Sequence, residues 1–222
     1  HRDLHSFPTR RSSDLNAQIE SLSEMKIPYV LIDRYFPEID SNYVIIDNYA
    51  ASYHATSYLL NKGFRKIAFL AINDELITMH NRTEGFLQAM KDAGIGSPEN
   101  SVVYLPFSHE KKDVGKAIRQ LLSVKNRVEG IFFSSSKIGL MGLEVIAESG
   151  LNVPDDLAVV SFDDPDYFKI CFSPVTAIAQ PLEKMGRKAV QILVREIESE
   201  KTGSPSKKIV MKTDFIIRKS IG

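Results

Sequence analysis

Acidic residues stand where two short apolar runs end. Asp33 closes the run 29–33 (YVLID), and Asp163 with Asp164 follows the run 157–162 (LAVVSF). A carboxylate at the end of a buried run lies at the mouth of the sheet that the run helps to build. There it can accept hydrogen bonds from paired hydroxyls. Arg82 sits at the expected start of a helix over 82–93, where outward-pointing backbone N–H groups would reinforce its own fork of donors. An arginine facing two carboxylates across a cleft suits a polyhydroxylated ligand. The same carboxylates can also cap turns or helices, and spacing alone leaves both readings open.

Strings that suggest catalysis do not survive inspection. Ser134-Ser135-Ser136-Lys137 fits S-x-x-K and Lys201-Thr202-Gly203 fits K-T-G, two signatures of penicillin-recognising serine enzymes. That chemistry needs K-T-G on a strand beside the serine, and here it falls in a polar stretch after a helix, with no S-D-N. There is no G-x-G-x-x-G and no phosphate-binding loop; Gly94-Ile95-Gly96 runs straight into Ser97-Pro98. His109-Glu110 lacks the second histidine of a zinc helix, and five scattered histidines with one cysteine offer no metal-ligand set. Asn81-Arg82-Thr83 fits a glycosylation sequon, without any accompanying sign of secretion. The expectation is a binding protein rather than an enzyme, with no cofactor and no metal.

The elements that position these residues alternate. Apolar runs at 29–33, 43–46, 66–71, 101–105, 130–133, 157–162 and 209–217 read as strands, buried on both faces where they are continuous. Between them, 51–60, 82–93, 114–122, 140–148 and 181–198 read as helices, the last with an apolar stripe through Leu182, Met185, Ala189, Leu193 and Ile197. Parallel strands need a crossover, so this alternation predicts an α/β fold of β-α-β units. The segment 203–208 (GSPSKK) reads as a surface turn.

Composition bounds the function. The 222 residues are long for one ordinary domain and comfortable for two lobes. Lys plus Arg equals Asp plus Glu at 28 each, whereas a nucleic-acid surface shows as basic excess, so this segment is not expected to grip DNA itself. No apolar stretch approaches the roughly 18 residues that span a bilayer. Cys171 stands alone, which forbids an intrachain disulfide and fits a reducing, cytoplasmic setting. Between Ile170 and Phe172 it reads as a half-buried thiol rather than a nucleophile. Residues 1–15 (HRDLHSFPTRRSSDL) are basic and Ser-rich, with no period and no apolar core of a leader, and read as a non-native or disordered tail.

Taken in order, IPYVLIDR (27–34), VIIDN (44–48), LLNKGFRKIAFL (59–70) and RTEGFLQAM (82–90) resemble the core of the LacI/GalR transcription regulators. So do GLNVPDDLAVVSFDD (150–164), SPVTAIAQPLEKMGRKAV (173–190) and FIIRKS (215–220). The resemblance implies a two-lobed fold of the type I periplasmic-binding-protein kind, with parallel sheets and three crossovers. It implies a small-molecule effector, above all a carbohydrate, a homodimer formed through the core, and DNA contact only through a head domain that this chain lacks. Because IPYVLIDR lies well inside such a core, the N-terminal lobe is expected to be incomplete. That lobe would comprise 16–62 plus 180–206, and the C-terminal lobe 63–179 plus 207–222. An exported sugar-binding protein of a transport system shares the fold and is the alternative; upstream sequence encoding a DNA-binding head would exclude it.

Carried over residue by residue, the resemblance makes Arg82 the arginine of R-x-x-G-F. Asp33 is then the aspartate ending VLID, and Asp163 the first of SFDD. Thr78 takes a small hydroxyl position one turn before the arginine, and Gln180 falls at a lobe crossover. All five are expected to touch the effector, together with Ser136. With Lys137, Ser136 stands where the family carries Asn-Asp. Glu110 stands where an aromatic platform is usual, with Phe107 and His109 as the nearest substitutes.

Overall fold

The computed structural model describes residues 12–73, 76–123, 127–198 and 205–222. The tail set apart by composition lies outside the described residues as far as residue 11, while residues 12–15 open a helix. The Lys201-Thr202-Gly203 string and the first two residues of the turn expected at 203–208 also lie outside them.

The chain begins with α1 (Ser12–Glu24), β1 (Leu31–Ile32), β2 (Tyr43–Ile46) and α2 (Asn48–Asn61). It continues through β3 (Ile67–Ile72), α3 (Ile77–Asp92), β4 (Val102–Leu105), α4 (Lys111–Leu121) and β5 (Gly130–Phe133). Then come α5 (Ser136–Glu148), β6 (Ala158–Phe162), the short α6 (Tyr167–Ile170) and β7 (Thr176–Ala179). The last elements are α7 (Leu182–Glu198), β8 (Lys208–Met211) and β9 (Asp214–Ile216). The predicted alternation is present, and the fold is α/β. The sequence patterns missed α1, α6 and β7, each too short or too polar to show a period.

Two sheets result. One has the order β1-β2-β8, with β1 and β2 parallel. The other has the order β4-β3-β5-β6-β7-β9, parallel throughout except for the antiparallel edge strand β9. The single strand expected over 209–217 is therefore two strands in two sheets, broken at Lys212-Thr213. Close contacts divide the chain near 45/46, 182/183 and 210/211 into a smaller and a larger unit. In particular, α2 belongs to the larger unit. Its aromatic residues explain why: His54 and Tyr58 meet Phe215 of β9 edge-on, and the Tyr53 hydroxyl donates to Asp92 Oδ2 at the end of α3 at 2.8 Å.

Strand side chains alternate between the faces of the larger sheet. Leu70, Ile131, Phe133 and Val159 join Val114, Ile118, Ile138, Val145 and Ile146 of α4 and α5 in one buried cluster. Phe69, Phe132 and Phe162 occupy the other face. There Phe69 stacks on Phe86 of α3 at 5.0 Å, Phe132 meets Phe69 edge-on at 5.0 Å, and Phe162 stacks on Phe132 at 6.2 Å. Both faces are covered, which is why these strands read as unbroken apolar runs.

Local chemistry sets the helix ends. Asp47 caps α2 by accepting from Ala50 N at 2.9 Å, and Gly63, at φ +100°, turns the chain out of that helix. Gly85 has a different reason. A Cβ there would fall on the Tyr49 carbonyl oxygen and come 3.0 Å from Tyr53 N, so α3 can approach the start of α2 only without a side chain. Gly85→Ala is expected to cost about 1–3 kcal/mol by overpacking against backbone, with Tm falling by roughly 3–10 °C. Thermal melts followed by circular dichroism measure it; an unchanged Tm would show that the helices have room to separate.

Candidate functional site

The strands β4, β3, β5, β6 and β7 run parallel, so their carboxyl ends open at one edge of the larger unit. Arg82 organises the middle of that edge. It lies in the second turn of α3 rather than at its start, because the helix begins five residues earlier than its apolar pattern indicates. The side chain is buried. Its Nε donates to Asn48 Oδ1 at 2.7 Å, its Nη1 donates to the Ser134 carbonyl at 2.7 Å, and the guanidinium lies 3.8 Å from the centre of the Phe162 ring. Its partners include an amide oxygen and a backbone carbonyl. Asn48 is a site residue that the sequence did not single out. Its signal was its place one residue past the cap Asp47, at the start of a helix held close by Gly85.

Adjacent aspartates divide the work at the end of β6. Asp164 accepts a two-pronged salt bridge from Arg218, Nη1 to Oδ1 and Nη2 to Oδ2, both at 2.7 Å, with the carboxylate 8% exposed. Arg218 also donates to the Val175 carbonyl at 2.6 Å, so it rivets the segment after β9 to the start of β7. Next to it, Ser220 Oγ donates to the Val159 carbonyl and accepts from Thr176 N. Asp163 instead has φ +65°, a left-handed backbone that aspartate tolerates better than most residues, and it points elsewhere. Its Oδ1 accepts from Gln180 Nε2 at 2.7 Å, and the two line a hollow of about 370 Å³ with Ser136, Asp164, Pro165, Ala179 and Leu182. The Gln180 Oε1 is buried with no hydrogen-bond partner among the described residues.

Three of the six sequence-selected residues therefore meet around one hollow: Asp163, Gln180 and Ser136. Thr78 is buried in the first turn of α3, one turn before Arg82. Asp33 belongs to the smaller unit, at the carboxyl end of β1. It too has a left-handed backbone, at φ +69°, and its half-exposed carboxylate lies 3.8 Å from Arg34 Nε. The sequence missed Ser134, fully buried at the end of β5, whose carbonyl holds Arg82 and whose hydroxyl has no partner among the described residues. Ser135 caps α5, so the S-x-x-K string is absorbed in a helix start.

Several other chemistry-bearing groups among the described residues are occupied. A second hollow of about 540 Å³ lies at the opposite, amino end of the strands, between Gly63, Arg127 and Pro154. Of its acids, Glu129 accepts from Arg65 N and Lys66 N, which hold its carboxyl below the usual range, and Asp156 is lowered first by a hydrogen bond from Asn152 N. Burial pushes the Cys171 thiol up, against thiolate formation, and its Sγ lies 3.0 Å from the Tyr167 carbonyl. Among the described residues no group of His, Cys, Asp and Glu is placed to hold a metal ion. No helix among them is long and apolar enough to cross a membrane.

Residues 56–221 match the family described as the periplasmic binding protein-like domain. The chain is 32% identical over 193 residues to the HTH-type transcriptional repressor CytR of Escherichia coli, covering 87% of this chain and 55% of that one. It is 34% identical over 203 residues to the HTH-type transcriptional regulator CelR of Thermobifida fusca, covering 90% of this chain and 58% of that one. It thus spans little more than half the length of these relatives. A solved CelR–cellobiose complex superposes with a TM-score of 0.81 at 33% identity, over 95% of this chain and 63% of that one.

The division between the two aspartates is testable by stability. Asp164→Asn leaves a guanidinium with little exposure short of its counter-charge and is expected to cost about 3 kcal/mol or more. Asp163→Asn keeps the backbone preference and loses about 1 kcal/mol or less. Urea denaturation of both variants checks the contrast, and equal losses would erase it.

Proposed function

The chain belongs to the periplasmic binding protein-like family, as an effector-binding core of the LacI/GalR type. From that premise we propose that it is the sensing part of a transcription regulator, and that its effector is a carbohydrate. The observation that carries the reading is the hollow at the ends of β6 and β7. A carboxylate, a side-chain amide and a serine converge there on one polar cavity, large enough for a small ligand. Asp163 accepts from hydroxyls, Gln180 both donates and accepts, and Ser136 adds a hydroxyl at the start of α5. Arg82 belongs to the proposed contact set as well, and it holds Asn48, Ser134 and Phe162 in register. Thr78 completes the proposed contact set of the larger unit, and Asp33 is proposed by itself as an effector contact of the smaller unit.

In the whole protein, DNA contact belongs to a segment outside this chain, in keeping with its balanced charge and with the HTH-type naming of both relatives. Such a regulator works in the cytoplasm. Effector binding biases DNA affinity by as much as the effector prefers one conformation of the core over the other.

The core also pairs with a second copy. Phe172, 104% exposed, rims an apolar hollow of about 540 Å³ lined also by Leu140, Leu143, Leu151 and Val153, and Ile170, two residues earlier, is 85% exposed. A knob and a hollow on the same face are what a two-fold, self-complementary interface needs. In sequence the two residues flank Cys171, a half-buried thiol. Their exposure fits the interface better than a free surface.

Calorimetric titration with a panel of neutral sugars tests the sensing role. At least one sugar is expected to bind, with affinity falling tenfold or more in Asp163→Asn; no heat from any sugar, or equal affinity in the variant, would count against it. Sedimentation velocity tests pairing: Phe172→Asp is expected to convert a dimer to a monomer, and a monomeric parent chain would end the proposal.

A further inference from the structure

The salt bridge after β6 constrains the path of the chain beside the hollow. In the register of the larger sheet Val160 pairs with Thr176, so Val175 lies level with Val159. Asp164 is five residues beyond Val159, which an extended strand would place about 16 Å further on. Yet Nη1 of Arg218 donates both to Asp164 Oδ1, at 2.7 Å, and to the Val175 carbonyl, at 2.6 Å. The chain therefore folds back after β6. Asp163 stands at the bend, with the left-handed φ of +65° that interrupts the pleat.

Arg218 is itself firmly held. Its backbone N–H donates to Thr176 Oγ1 at 2.9 Å, and the Thr176 hydroxyl lies 3.3 Å from the Arg218 carbonyl. Two residues on, the Ser220 hydroxyl bonds Val159 and Thr176 across the same strands. Arg218 is not among the residues lining the hollow, whereas Asp163 is. An L residue released from the left-handed region relaxes to extended backbone. Asp163 would then resume the alternation of β6 and swing its carboxylate away from Gln180. The Gln180 amide, at 2.7 Å, opposes that movement with one hydrogen bond from a neutral donor. A charged, two-pronged fork on the next residue is the stronger hold. The bend at Asp163 thus depends on Arg218, which acts through Asp164.

We propose that Arg218 is a positioning residue of the effector site: by drawing Asp164 back, it keeps the bend that aims the Asp163 carboxylate into the hollow, without touching the effector. This rests on the reading of the hollow as an effector site, and it makes the C-terminal segment 218–221 a determinant of affinity. Lysine cannot take over the task, because an ammonium lacks the planar fork that spans two carboxylate oxygens and a carbonyl.

Calorimetric titration of the 222-residue chain with cellobiose, ribose and glucose, well below every variant's Tm, tests the proposal. Arg218→Lys is expected to weaken binding tenfold or more for whichever of these sugars the parent chain binds. An Asp163→Gly background keeps the left-handed bend without strain but has no carboxylate to aim. There the same substitution is expected to change affinity less than twofold, the mark of two residues acting through one contact. Ser220→Ala loosens the same segment without touching Asp164, and it is expected to lower Tm while affinity stays within twofold. Equal losses from Arg218→Lys in both backgrounds, or a matching loss in Ser220→Ala, make the role merely structural and overturn the proposal. Unchanged affinity in Arg218→Lys overturns it as well, while sparing the site at β6 and β7. Sugar binding insensitive to Asp163→Asn overturns that underlying site instead, and a panel in which nothing binds overturns both.

Discussion

A buried guanidinium lying on an aromatic ring organises the carboxyl edge of the larger sheet. Arg82 sits on Phe162 and ties together the start of α2, the end of β5 and the end of β6. A charge so enclosed is costly unless nearly every donor is used, and the flat, forked guanidinium meets that demand better than an ammonium would. Below it, Phe162, Phe132, Phe69 and Phe86 form a continuous aromatic row across three strands and a helix. The polar edge and the apolar core therefore share one column of contacts. Movement of a strand end at this edge would be felt in the core, and loosening of the core would be felt at the edge.

The second constraint is the end of β6, where neighbouring side chains have opposite fates. Asp164 turns inward to a salt bridge that secures the C-terminal segment, and Asp163 turns to the hollow through a left-handed backbone. The same backbone geometry recurs at Asp33, at the end of β1 in the smaller unit. A strand whose final residue flips into the left-handed region presents its carboxylate outward instead of continuing the pleat. Backbone strain of about 1 kcal/mol at each aspartate is consistent with a binding role, because such conformations persist where the surroundings hold them.

Much of this was legible in the residues. The alternation of apolar runs with helical stripes gave the order of elements, because periods of 2 and 3.6 are local properties of the backbone. Strand ends could be located, and with them Asp33, Asp163 and the region of Gln180. Boundaries were harder to read. The apolar pattern sets the start of α3 at Arg82, five residues late, because the first turn, beginning at Ile77, shows no apolar stripe; Arg82 is therefore not helix-terminal. β7 escaped notice because four residues of mixed polarity show no period outside a sheet.

By itself, then, the sequence determined the α/β class and the parallel crossovers, since both follow from neighbours within a few residues. Only the tertiary structure decided which aspartate of a pair is structural and that α2 sides with the larger unit. Those outcomes depend on partners far apart in the chain, as with Arg82 and Ser134 or Asp164 and Arg218, separated by 52 and 54 residues. Contacts at that separation leave no periodic trace in a sequence; they exist only once the chain has closed on itself.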